Sequence, residues 1–159
     1  MKRAIKHWVS LLLFIAVATS LEVASESGKP GKPLSSFGVA PEAVQRVEIL
    51  YLPERILTRA ALTPEMLERQ YQYKIEIRDL RDYAQHGELV ALLRKTSLFR
   101  SGGTYDVRTA VLLYDSGGRR IGALFFARYG KQGVINSESG AIDSGVYRWA
   151  KSMMKGISD

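Results

Sequence analysis

YDVRTAVLLYDSGGRRIGALFFARY, residues 105–129, reads as a strand, a glycine turn and a second strand. In strands side chains alternate with period 2. Tyr105, Val107, Thr109, Val111 and Leu113 therefore fall on one face of the first strand, and Asp106, Arg108, Ala110, Leu112 and Tyr114 on the other. Asp115-Ser116-Gly117-Gly118 is the turn signal, because glycine reaches positive φ at little steric cost. The return strand carries Ile121, Ala123, Phe125, Ala127 and Tyr129 on one face, and Gly122, Leu124, Phe126 and Arg128 on the other. Both faces are partly apolar, which predicts a hairpin central in its sheet.

A three-residue loop at 116–118 places Asp106 opposite Arg128 and Arg108 opposite Phe126. Two arginines and one carboxylate then share a face at the end away from the turn. A cross-strand ion pair with one spare solvated Arg accounts for this cluster, at about 0.2–1 kcal/mol per pair. The functional alternative is a patch that recognises anions or carboxylates, since Arg offers a planar fork of donors.

Working outward, residues 44–52 predict a strand ended by Pro53, which cannot donate to a ladder. Thr63-Pro64-Glu65 opens a short helix: Thr63 suits the cap, Pro64 the first position, Glu65 the positive end of the dipole. Residues 70–78 alternate cleanly, with Tyr71, Tyr73, Ile75 and Ile77 on one face, and predict a strand with one wet face. A helix is expected at 88–95, a short strand at 134–136, and a last helix at 144–155 capped by Asp143 or Ser144. That helix carries one apolar stripe of Val146, Trp149, Ala150 and Met153. Hairpin strands with scattered helices predict an α+β domain, mostly antiparallel sheet, with about three helices packed on one face.

Residues 1–25 read as a cleaved export signal. Lys2, Arg3 and Lys6 precede the apolar run WVSLLLFIAVA at 8–18, which is well under the roughly 20 residues a membrane span needs. Small residues offer cleavage after Ala18, Ser20 or Ser25. Residues 26–40, ESGKPGKPLSSFGVA, read as a flexible leader, and 41–159 as a single domain. The formal charge of +7 falls to +4 when Lys2, Arg3 and Lys6 leave by cleavage after Ala18 or Ser20, and to +5 after Ser25, when Glu22 leaves too; either is weak ground for nucleic-acid binding. An exported chain without cysteine reads as bacterial, periplasmic in the first instance and secreted in the second.

Chemistry is sparse. With no cysteine there is no disulfide, thiol nucleophile, thiolate metal site or lipidated cysteine. His7 leaves with the signal, so His86, in a polar connection, is the one remaining histidine, and no His cluster for a metal is available. The glycine stretches at 101–104, 115–118 and 130–133 lack a phosphate-loop pattern. Asp106, Glu138 and Asp143 leave a carboxylate-dependent hydrolase as the weakest alternative.

The resulting expectation is a non-catalytic binding protein without cofactor or metal, and without nucleic acid or a membrane span after cleavage. Its partner is another protein, as for an inhibitor or immunity protein that engages an envelope-acting toxin or hydrolase. A small-ligand or envelope-polymer binder is the alternative. The contact is placed on Tyr105, Asp106, Arg108, Arg128, Tyr129, Lys131 and Asn136, where Tyr and Arg, residue types enriched at binding hot spots, gather beside glycine loops.

Overall fold

The computed structural model describes residues 30–143 and 145–156. The proposed signal, residues 1–25, lies outside the described residues, as do Ser144 and residues 157–159. The chain is an α+β domain. One antiparallel sheet of eight strands runs in the order β1-β4-β8-β7-β6-β5-β2-β3. The strands are β1 (Lys32–Pro33), β2 (Arg46–Tyr51), β3 (Tyr73–Ile77), β4 (Ser97–Arg100), β5 (Val107–Tyr114), β6 (Arg120–Ala127), β7 (Gln132–Ile135) and β8 (Glu138–Ile142). The helices are α1 (Pro64–Gln70), α2 (His86–Lys95) and α3 (Gly145–Met153).

The quoted hairpin is β5–β6 and lies inside the sheet, as its two apolar faces require. Asp115 N–H donates to the Arg119 carbonyl, which leaves residues 116–118 as the loop. The register then slips twice, between Leu113 and Tyr114 and again between Val107 and Thr109. Thr109, not Arg108, therefore stands opposite Phe126, and Arg108 is the extra residue of a bulge. The bulge moves Val107 off the Val111 and Leu113 face. Val107 packs instead with Ala110, Leu112 and Phe125, the local reversal that an inserted residue produces.

The sheet has a core on each side. Val47, Ile49 and Tyr51 of β2 join Val111, Leu113, Leu124 and Phe126 under α2 (Leu89, Leu93) and α3 (Val146, Trp149, Ala150). On the reverse, Leu50, Ala110, Leu112, Ala123 and Phe125 are covered by Leu67 of α1 and by Leu52 and Leu62 of the β2–α1 connection. The expected single layer of helices holds for α2 and α3, whereas α1 lies on the opposite face. α1 begins as its sequence indicates, with Thr63 Oγ1 accepting from Met66 N–H. It is short, and its one fully buried residue is Leu67.

The expected leader at 26–40 is corrected over its described part. Lys32 and Pro33 pair with β4, residues Leu34–Phe37 make a 3₁₀ turn, and Leu34 and Val39 are buried in the first core. The composition is polar, but two apolar side chains suffice to fasten the segment. Strands β4 and β8 also form where no strand was expected. His86 opens α2 and is not in a loop. Met154, just past the end of α3, replaces Met153 as the fully buried residue at the end of the stripe.

Candidate functional site

The bulge builds the site's foundation. Arg108 is 3% exposed. Its Nε and Nη2 donate to Asp106 Oδ2 at 2.9 and 2.8 Å. Nη1 donates to the Ile56 carbonyl at 2.8 Å and Nη2 also reaches Thr58 Oγ1 at 3.2 Å. Asp106 Oδ1 accepts from Leu62 N–H at 2.9 Å. The backbone continues the seam: Val107 N–H donates to Leu62 O and Leu52 N–H to Arg108 O. The pair is thus a clamp that fastens the β2–α1 connection to β5. The expected cross-strand pair with a solvated Arg108 is replaced by a pair two residues apart at the start of β5, and Arg108 is the buried member.

Arg128 takes a different course. Its Nη2 reaches the Glu54 carbonyl at 3.4 Å, and its own carbonyl accepts from Tyr147 Oη at 2.9 Å. Burial first, then the charge of Glu54 and the neighbouring Tyr51, push the Tyr147 hydroxyl up to about 12. The phenol therefore remains a donor to Arg128 at any physiological pH. Gly130, at φ +68°, lies so close to the Tyr147 ring that a Cβ there would meet ring carbons at 2.1–2.7 Å. The β6–β7 turn is seated on that ring.

Above this foundation lies an open groove of about 750 Å³, walled by Tyr105, Asp106, Arg128, Tyr129 and Lys131, with Ala127 and Ala141 among its lining. Tyr105 is held as a wall: its hydroxyl donates to the Gly102 carbonyl and bonds Ser101 Oγ. Tyr129 is 72% exposed. Lys131 has no ion-pair partner among the described residues. Asp106 is neutralised by Arg108, so the groove's uncompensated charge is that of Arg128 and Lys131.

Five of the seven predicted site residues meet here. Arg108 lies beneath as support. Asn136 lies elsewhere, in a second hollow of about 650 Å³ between α1 and β6. Asn136 turns the β7–β8 hairpin at φ 53°, accepts from Ala123 N–H and donates to the Phe37 carbonyl. Its side chain is occupied in joining β6 to the 3₁₀ turn.

The sequence reading missed Ala141 and the neighbouring Phe99. Phe99 is 49% exposed and paired with Ala141 across β4–β8, which places the two on one sheet face. Gly140 and the short length of both strands hid them. The signal available was the pair Leu98–Phe99, with Leu98 buried and Phe99 outward.

The carboxylates considered for hydrolysis each have a structural partner. Asp143 Oδ1 accepts from Gly145 N–H at the start of α3. Glu138 is bonded by Lys32 and paired with Arg100. The hydrogen bond from Lys32, with the two cations, holds its carboxyl below the usual range against the opposing effect of burial. Among the described residues no group of three His, Cys, Asp or Glu side chains is placed to hold a metal ion, and no helix is long and apolar enough to cross a membrane. Compared with family models, curated proteins and solved structures, the chain matches none.

Proposed function

We propose that this chain is an exported bacterial protein that works by binding another protein, as an inhibitor or immunity protein against an envelope-acting toxin or hydrolase, in the periplasm and without catalysis of its own. The observation that carries this reading is Tyr129. It is a large aromatic left 72% exposed, beside Arg128 and Lys131, at the mouth of an open groove. Tyr and Arg dominate protein hot spots, because a rigid aromatic buries much area at little entropic cost and a guanidinium makes directed bonds. The clamp beneath holds the groove's walls before a partner arrives, which lowers the ordering cost of binding. The unneutralised cations favour a partner segment rich in carboxylates or carbonyls. The internal pairing of Asp106, Glu138 and Asp143 supports binding over acid–base chemistry.

The test is affinity capture from envelope extract with the protein as bait, alongside the variant Y129A/K131E. The expected result is one stoichiometric protein, retained at about 0.3 M salt, where exposed charge pairs are largely screened. The variant should lose it while keeping the parent melting temperature. Capture of salt-labile polyanions alone, or a partner held equally by the variant, overturns the reading.

A further inference from the structure

We propose that the chain pairs with a second copy of itself through β3, edge to edge and antiparallel, about a two-fold axis at Ile75. The two ends of the sheet are finished differently. At one end β1 is two residues long and ends in Pro33, the blunting by proline and shortness that protects an edge. At the other end β3 runs five residues, YKIEI, with no proline or glycine, and among the described residues pairs only with β2. Its outer backbone groups face away from the sheet, and Tyr73, Ile75 and Ile77 are each half-buried, their remaining apolar surface left at the margin of the first core.

The sequence of this edge complements its own reverse. In an antiparallel pair centred on Ile75, Tyr73 meets Ile77 of the other copy, Ile75 meets Ile75, and Lys74 meets Glu76. The apolar pairs extend one sheet face and the two ion pairs the other, because directly opposed residues share a face. The isolated chain leaves this arrangement half-built. Glu76 stands opposite another acid, Glu48. Lys74 is drawn to Glu48 at 2.9 Å, while among the described residues Glu76 has only Arg46 and the exposed Arg78, at 3.5 and 3.3 Å. An ammonium has three donors, so Lys74 can keep Glu48 and also reach Glu76 of a second copy. The new contact is short, so the expected affinity is on the order of micromolar.

Charge reversal tests the register. K74E carries two acids on the edge and E76K two bases. Each should weaken self-association about tenfold or more, since both cross-copy pairs become repulsive. Mixed one to one, the two variants should form a heterodimer, seen as a doubled mass by sedimentation. I75C supplies a second measurement if either variant folds poorly. The chain has no cysteine of its own, and the two-fold axis puts position 75 against itself at roughly 4.5–5.5 Å between Cα atoms, inside the Cα range that a disulfide spans. I75C should cross-link on mild oxidation, well ahead of R94C on the exposed face of α2. A parent protein that stays monomeric at high micromolar concentration, a mixture that does not associate, or I75C no faster than R94C overturns the proposal.

Discussion

At Arg108 a full charge is held 3% exposed and nearly every donor of its fork is used, on Asp106, Ile56 and Thr58. Removing the guanidinium leaves the Ile56 carbonyl without its donor and Asp106, a third exposed, without its ion pair, a cost of about 2–4 kcal/mol. R108A should therefore lower unfolding free energy in urea by about that much, whereas R128A, half-buried and bonded to one carbonyl, should cost about 1 kcal/mol. Equal losses would contradict the division between clamp and groove. Tyr147 offers a pH test. Its hydroxyl ionises at about 12 in the fold and at about 10 unfolded. The neutral phenol is thus favoured by folding. Its contribution is complete below about pH 10 and is lost as pH rises toward 12. Stability measured across that window should fall less steeply in Y147F than in the parent.

The β6–β7–β8 meander depends on closeness between its strands. Gly133 and Gly140 are paired across β7–β8. A Cβ at Gly133 would fall 1.8 Å from the Phe125 carbonyl oxygen, and one at Gly140 2.3 Å from that of Phe99. Backbone cannot yield as a side chain can, so G133A should break the β6–β7 ladder. The expected outcome is a loss of about 3 kcal/mol or more, at the upper end of single-site effects, with fast amide exchange confined to β7 and β8. Alternation in the sequence located β2, β3, β5 and β6, each with apolar residues at period 2. The same alternation is broken in β8 by Gly140 and is too brief in β4, so those strands were not legible. The bulge at Arg108 was illegible for another reason: a register slip costs one residue and leaves no mark on the pattern.

For the whole molecule, residues 32–39 matter more than their composition implies. Leu34 and Val39 are each 1% exposed in the α2–α3 core. Burying an aliphatic side chain contributes about 1.5–3 kcal/mol. A chain beginning at Pro41 should therefore lose about that amount for each of the two, and β4 should lose its outer neighbour. Thermal unfolding of the shortened and full chains compares them directly, and equal melting temperatures would return the segment to the status of a leader. The candidate site has the same character. Tyr105, Asp106, Arg128, Tyr129 and Lys131 come together because the hairpin register brings the two strand ends together, and that much followed from the loop length. Asn136 was grouped with them by nearness in sequence, and the β7–β8 turn carried it to the far end of the strand.

The order of apolar and polar residues by itself determined the class of fold, the central hairpin, the N-cap of α1 and the absence of thiol chemistry, because periodicity, turn residues and composition are local quantities. Tertiary structure alone decided which side of the sheet each helix covers, that Arg108 is buried and Arg128 half-buried, and that one sheet edge is blunted while β3, among the described residues, is paired on one side alone. These depend on which distant segments meet: residues 52–62 folding over Arg108, and residues 32–39 closing one edge. No spacing within either segment encodes its partner.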